Sequence, residues 1–311
     1  MAQIKAQIDK FLTKASKGFT PEGFIGDKVL TPMKVKENSG KLAGYGNAHI
    51  RIVNTVYGGR GKAPRYESQV RTSETYLVED HGLEGMVTKS DYDNVEQPYD
   101  AEKDEALGLV TVLKLGREKA LADQLGATTT LTQNTTLSGT SQFSDYVNSD
   151  PLGKFKTAQQ AVRAGCGRKA DTAIMSWDVL NVLSYHPGIL EGLGFQMNRA
   201  GTLTEKEVAS AMKIKTLLIG ESMYNSGHLG QSDALTDVWG KNIVFAVLPK
   251  SAAKMQTSLG YNLRKIGESP YQTSKWDMNN PRGSRGLLVT DSYDDLLSNV
   301  TAAYLIKDAV A

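Results

Sequence analysis

The stretch Thr172-Ala173-Ile174-Met175-Ser176-Trp177-Asp178-Val179-Leu180-Asn181-Val182-Leu183-Ser184-Tyr185-His186-Pro187 carries a strand signal and a helix signal back to back. Residues 172–175 read as a short buried strand. Ser176 stands where a helix N-cap belongs, Trp177, Leu180 and Leu183 fall on one helical face, and Pro187 interrupts the pattern. Working outward, Asp150 and Pro151 form an N-cap followed by a proline at the first helical position, and Gly165 is expected to close that helix. Thr204 with Glu207 matches a capping box. Residues 217–219 and 243–248 are continuous apolar runs, as in strands covered on both faces. Residues 287–290 and 299–306 add two β-prone runs. This half of the chain reads as α/β, and no repeat of fixed period occurs.

The first half has another texture. A long helix is expected over residues 99–125, with Leu109, Val112, Leu113, Gly116 and Ala120 on one face. Asp100, Glu102, Asp104 and Glu105 crowd its start, and Lys114, Arg117 and Lys119 its end, the sense the helix dipole favours. Gly126 stops it, and a polar stretch over 128–144 reads as the boundary between the halves. At the N-terminus, Ile4, Ile8, Phe11, Leu12 and Ala15 recur at helical spacing among Lys5, Lys10, Lys14 and Lys17, the pattern of a short basic amphipathic helix. Such a helix is marginal in water and needs a surface to pack against. Gly18, Pro21, Gly23 and Gly26 then punctuate an extended arm.

Within 40–87, β-prone runs at 49–57 and 75–78 flank the tip Gly58-Gly59-Arg60-Gly61-Lys62-Ala63-Pro64-Arg65. That is a long hairpin with an irregular end, and a two-stranded hairpin is marginal unless a third surface covers it. Arg51, Arg60, Lys62, Arg65 and Arg71 dominate it, whereas 79–105 is heavily acidic. Opposite blocks this close in sequence suggest complementarity between copies, with two solvated faces as the alternative reading.

Composition sets the limits. The chain has 311 residues, 40% hydrophobic and 23% charged, so it can bury a core without staples and is not disordered as a whole. Lys and Arg total 36 against 34 Asp and Glu, a net charge of +2, too small for a dedicated nucleic-acid binder. The single cysteine, Cys166, excludes an intrachain disulfide and multi-cysteine zinc patterns. No apolar run reaches a membrane span, and the lysines of 1–17 are spread through the segment, so neither an anchor nor a signal peptide is expected.

Chemistry is mostly not found. A phosphate-loop reading of the tip fails, because the required opening glycine falls on Val56 and Ala63 replaces the metal-binding hydroxyl residue. His49, His81, His186 and His228 are scattered, without metal-ligand spacing, and His186 before a proline reads as structural or exposed. Cys166 reads as a small buried thiol. Ser141 lacks a nucleophile elbow, having Phe143 at the second glycine position. Asp294 and Asp295, adjacent in a strand, would face opposite ways. Trp177, Trp239 and Trp276 read as core anchors, Trp276 with the alternative of facing a partner. No catalytic residue, cofactor or metal site is expected.

The order of several motifs carries a resemblance. They are Phe24-Ile25-Gly26-Asp27-Lys28-Val29-Leu30 with Pro32 and Ser39-Gly40-Lys41; Ser149-Asp150-Pro151-Leu152; Ala173 through Leu180 leading to His186-Pro187; Leu218-Ile219-Gly220-Glu221-Ser222-Met223-Tyr224-Asn225; Val238-Trp239-Gly240-Lys241-Asn242; and Ser258-Leu259-Gly260-Tyr261. Together the sequence resembles the tailed-bacteriophage major capsid proteins of the HK97-like fold. The resemblance implies an α+β fold with an N-terminal arm (1–39), an extended loop (40–87), a peripheral domain with the spine helix (88–144), an α/β axial domain (145–255) and a return to the peripheral domain (256–311). It implies a structural protein, not an enzyme, that forms hexamers and pentamers of an icosahedral shell around double-stranded DNA, touched weakly and non-specifically. Its place would be the virion, assembled in the bacterial host cytoplasm, with portal and possible scaffolding or decoration proteins as partners and no membrane.

On that reading the loop tip (Arg60, Lys62, Arg65) and the arm (Ile4, Ile8, Phe11, Leu12) make the inter-subunit contacts, because segments that cannot bury themselves must be buried by copies. The chain leaves no room for the long N-terminal scaffolding segment of some relatives, so a separate scaffold is expected if one is needed. A lysine–asparagine cross-link, as in other relatives, would cast Lys62 with Asn279 or Asn280, but an ordinary loop lysine is the favoured reading. The rival readings are an encapsulin-like compartment of the same fold, a soluble α/β enzyme around Cys166 or His186, and a DNA-binding module using the basic tip.

Overall fold

Residues 243–246 alternate between two cores: Ile243 and Phe245 lie in one buried cluster, Val244 and Ala246 in the other. A strand shows alternate side chains to opposite faces, so an unbroken apolar run marks a sheet covered on both. The structure is a computed structural model that describes residues 7–44, 52, 55–57, 62–63, 72–94, 100–194, 202–227, 230–249, 251, 257–278 and 283–311.

In chain order the described elements are β1 (Gln7–Ile8), α1 (Lys10–Gly18), α2 (Gly26–Val29), β2 (Thr31–Val35), β3 (Ser39–Gly44), β4 (Thr72–Leu77), β5 (Glu79–Val87), α3 (Lys89–Asn94) and α4 (Ala101–Gly126). There follow β6 (Asn134–Thr136), α5 (Pro151–Cys166), β7 (Thr172–Ser176), α6 (Trp177–Ser184), α7 (Pro187–Gly192), α8 (Glu205–Ala211), β8 (Thr216–Gly220), β9 (Met223–Asn225) and β10 (Leu235–Asp237). The chain ends with β11 (Ile243–Ala246), β12 (Gly260–Lys265), β13 (Gln272–Asp277), β14 (Arg285–Leu297) and β15 (Ala303–Lys307).

One sheet runs β1-β13-β14-β12-β2, with β5 also paired to β14. A second runs β6-β15-β11-β7-β8, in which β7 and β8 are parallel. Helices α5 to α8 cover one face of the second sheet through Phe155, Val162, Leu183, Val208 and Met212. The C-terminal part of α4 covers the other through Leu121 and Leu125. The 26-residue α4, about 39 Å long, thus joins the two sheets. Each fully buried core side chain contributes about 1.5–3 kcal/mol, whereas an exposed pair such as Lys119–Asp123 contributes under about 1 kcal/mol. The cores therefore decide stability.

Several local expectations hold. Asp100 caps α4, accepting from the backbone N–H of Glu102 at 3.1 Å, and α4 ends at Gly126. Asp150 caps α5, accepting from Gly153 N–H at 2.9 Å, with Pro151 at its first position. Thr204 and Glu207 form their capping box.

Others are corrected. The α4 face named from the sequence leaves Val112 56% exposed, while the buried face holds Ala106, Val110, Leu121 and Leu125 together with Lys114, Arg117 and Glu118. Charged residues hid that stripe because their partners come from distant segments. For the same reason Lys114 and Arg117 turn inward instead of serving the helix dipole. Helix α5 closes two residues later than Gly165: Gly167 takes the left-handed conformation, at φ 72°. Gly165 instead lets the helix approach the turn before β15, where a Cβ would lie 2.6 Å from the Thr301 carbonyl oxygen. Ser176 sits at the N-cap of α6, but its hydroxyl makes no capping bond. Trp177 is 50% exposed, so Val179 and Leu183 anchor α6, while Trp239 is a core residue as expected.

The domain boundaries shift as well. The polar stretch 128–144 is no linker, since Leu131, Leu137 and Phe143 are buried and β6 pairs with β15. The last residues, through β15, join the second sheet instead of the first. Strand β5 pairs with β14 along nine residues, so the free-standing hairpin is based on β3 and β4 and ends before residue 79.

Candidate assembly surface

The arm is held to its own subunit by several devices. Strand β1 pairs with β13, matching Gln7 with Lys275 and Ile8 with Ser274. Asp9 then caps α1, accepting from Phe11 and Leu12 N–H at 2.9 and 3.0 Å, and pairs with Lys275 at 2.7 Å. The lysine hydrogen bond holds the Asp9 carboxyl below its ordinary range. Helix α1 thus starts at Lys10, with Ile8 in a strand. Leu12 is buried with Val87 and Leu287 inside the chain, whereas Ile8 and Phe11 are 58% and 67% exposed. Ile4 lies outside the described residues. The expectation of an unsupported arm is therefore corrected over residues 7–35, because the sheet and α4 of the same copy accept the helix stripe.

Further along, the arm is latched through Lys114, Arg117 and Glu118, which fall within little more than one turn of α4. Glu118 is 1% exposed. Its Oε1 accepts from Trp239 Nε1 at 2.7 Å, Ser222 Oγ at 2.8 Å and Ile25 N–H at 3.2 Å, and its Oε2 from Gly26 N–H at 3.4 Å. One carboxylate thereby ties the arm and the spine helix to Ser222 and Trp239, which flank the β9–β10 pair. Gly220 makes room for this: a Cβ there would lie 2.0 Å from Trp239 Cδ1.

Arg117 serves the first sheet. Its guanidinium grips Asp295 of β14 through Nε at 2.8 Å and Nη2 at 3.1 Å, and reaches Asp27 of the arm through Nη1 at 2.5 Å. Burial would lower the Arg117 pKa, but Asp295 and Asp27 outweigh it and hold the charge. Lys114 donates to the Phe19 carbonyl at 2.8 Å and to Asp27 at 3.2 Å. Asn262 bonds Asp295 at 2.6 Å, and Arg264 carries the chain on to Asp291. Beneath lie two tyrosine rings, Tyr271 under Lys114 at 4.9 Å and Tyr293 under Arg117 at 5.0 Å. Burial pushes the Tyr293 hydroxyl up to about 12. Sequence reading missed this network. Its only signal was charge at helix positions that continue the apolar spacing.

Among the described residues the hairpin leans on its own subunit at the base, where Tyr76 and Val78 pack with Val35, Tyr261 and Leu263. Beyond it, Ile52, Val56 and Tyr57 are 97%, 82% and 57% exposed. Lys62 is exposed, and Arg60 and Arg65 lie outside the described residues, as do Asn279 and Asn280. On β5, Glu79, Asp80 and Glu84 are exposed.

The remaining chemical candidates are structural. Cys166 is buried, and burial pushes its thiol up, away from nucleophilic behaviour. His186 caps α7 through Nδ1, which accepts from Gly188 N–H at 3.1 Å, while Nε2 lies 2.9 Å from Ser149 Oγ. Asp294 and Asp295 do point apart: one accepts from Leu77 N–H, the other from Arg117. Among the described residues no cluster of His, Cys, Asp and Glu could hold a metal ion, and no helix is long and apolar enough to cross a membrane.

Comparison with known proteins agrees with this architecture. No protein-family model matches the chain. It is 27% identical to the major capsid protein of Burkholderia phage BcepMu, covering 96% of each chain, and 23% identical to that of Pseudomonas phage JBD67, covering 100% of each. Its fold is similar to a phage-related protein from Bordetella bronchiseptica RB50, with TM-score 0.77 and 21% identity over 98% of both chains. It is also similar to the capsid of cyanophage P-SCSP1u, at TM-score 0.56 and 8% identity over 93% and 89% of the two chains. An encapsulin from Synechococcus elongatus PCC 7942 shares the fold at TM-score 0.50 and 9% identity over 97% and 96%. The chain thus has the HK97-like fold, which the solved phage capsids share. Its function is that of a phage major capsid protein, a structural subunit and not an enzyme.

Proposed function

We propose that the chain assembles into hexamers and pentamers that close an icosahedral shell around double-stranded phage DNA. In this reading the hairpin reaches across the neighbouring subunit, and Arg60, Lys62 and Arg65 at its tip meet acidic residues such as Glu79, Asp80 and Glu84 of that copy. Ile8 and Phe11 of the arm supply a second contact. The observation that carries the reading is the exposure of three large apolar side chains, Ile52, Val56 and Tyr57, in the segment that joins β3 to β4. Large apolar side chains this exposed call for a cover from outside. The near-zero net charge suits a container whose contents must move, with only weak, non-specific DNA contact. A portal, and scaffolding or decoration proteins, complete the set of partners in the virion, after assembly in the host cytoplasm.

The test is the triple variant Arg60→Glu, Lys62→Glu, Arg65→Glu. It is expected to give folded subunits by circular dichroism and no particles by electron microscopy; normal particles refute the pairing. Nucleic acid extracted from particles made during infection separates a DNA container from an encapsulin-like compartment, which would hold cargo protein instead.

A further inference from the structure

The second sheet has two chemically opposite ends. At the C-terminal ends of the parallel strands β7 and β8, α6 opens with Trp177 and Asp178, and the β9–β10 hairpin rises beside it. Register places Met223 opposite Asp237 and Leu235 opposite Asn225, so these four share one face. Trp177, Met223 and Leu235 are 50%, 48% and 67% exposed. Burial in this apolar surround, and then the neighbouring Asp178 carboxylate, push the Asp237 carboxyl up. Lys119 and Lys307 line the cleft on the spine-helix side of Asp237, and Lys119 is engaged with Asp123.

The N-terminal ends of the same strands carry the reverse charge. A cavity of about 630 Å³ there is lined by Lys156, Arg163, Lys169 and Lys213, with apolar walls from Leu152, Phe155, Leu193 and Met212. Asp150, the one carboxylate in the lining, is engaged in capping α5. The four cations are exposed and form no ion pair among the described residues. A cavity of this size takes an inserted apolar group with convergent polar contacts.

We infer that these two ends bind one another between copies: the acidic, apolar end of one subunit seats in the basic cavity of the next, joining the α/β domains head to tail. Five-residue strands separate the ends by about 16 Å, so they cannot meet within one chain. A heterologous contact of this kind closes into a ring when its rotation closes. Duplex DNA would satisfy the cations but leave the apolar walls uncovered, whereas a second copy satisfies both. This rests on the shell reading above.

The experiment uses wild-type particles assembled from an equal mixture of light and heavy nitrogen-labelled subunits, treated with a zero-length carbodiimide and digested for mass spectrometry. Isotopically mixed cross-links from Asp178 or Asp237 to Lys156, Lys169 or Lys213 are expected. Particles that form but yield only other cross-links overturn this inference and leave the shell intact; a wild-type chain that forms no particles removes both. In parallel, Asp178→Lys with Asp237→Lys, and Lys156→Glu with Lys213→Glu, should each cut particle yield about tenfold or more. The chain carrying all four substitutions should recover it. Full yield from either double variant, or no recovery from a folded fourfold variant, overturns the pairing.

Discussion

Trp239 donates its indole N–H to the Glu118 carboxylate at 2.7 Å, so a residue beyond the second sheet and the middle of the spine helix share a single buried bond. The same carboxylate also receives Ser222 and Ile25. Its removal strands several donors at once, and stranded buried donors are what make polar deletions expensive. Glu118→Ala should lower unfolding stability by about 3 kcal/mol, and Glu118→Gln by less, since an amide oxygen still accepts. Denaturant midpoints would check this. Equal midpoints for wild type and Glu118→Ala would show that the carboxylate does not hold the three segments.

Arg117 is the counterpart toward the first sheet. Arg117→Met leaves Asp295 buried without its cation, and should cost about 3–5 kcal/mol; Arg117→Lys keeps the charge but loses the fork, and should fall between. Asp27 adds an acid limb. Desolvation alone would raise its pKa, but Arg117 and Lys114 overcome it and hold the carboxyl below its ordinary 3.8. A lowered folded pKa means stabilisation that is full above that value and lost as pH falls through the folded one. Wild type should therefore loosen at the arm on strong acidification more than Asp27→Asn does, read by amide exchange of residues 19–30.

His186 makes a pH prediction nearer neutrality. It is 1% exposed, and burial lowers its pKa from 6.5, with Asp150 opposing weakly. The folded state therefore favours the neutral ring, which accepts at Nδ1 and donates from Nε2 to Ser149. Stability from this group is present above pH 6.5 and declines as pH falls below it. Unfolding midpoints measured from pH 7.5 to pH 5 should fall for wild type and fall less for His186→Gln; parallel profiles would assign the acid sensitivity elsewhere.

Much of the second sheet was legible because its signals are local. An unbroken apolar run as short as 243–248 fits a strand covered on both faces, as β11 is, and Asp150-Pro151 and Thr204-Glu207 announce helix starts by hydrogen bonds that span three residues. The burial of α4 was not legible. Its inward face includes Lys114, Arg117 and Glu118, which read as solvent-facing until Asp27, Asp295 and Trp239 arrive from 87, 178 and 121 residues away.

Taken alone, the sequence determined the capped starts of α4, α5 and α8, the sorted charge of the loop against the acidic block, and, through the order of its motifs, the capsid-type fold. Only the tertiary structure decided that the arm is bound by its own subunit, that residues 128–144 complete a sheet, and that opposite charges stand at opposite ends of β7 and β8. Local hydrogen bonds and side-chain periodicity are written in neighbouring residues. Buried charge is tolerated only where distant segments bring its partners, and that meeting exists only in the folded chain.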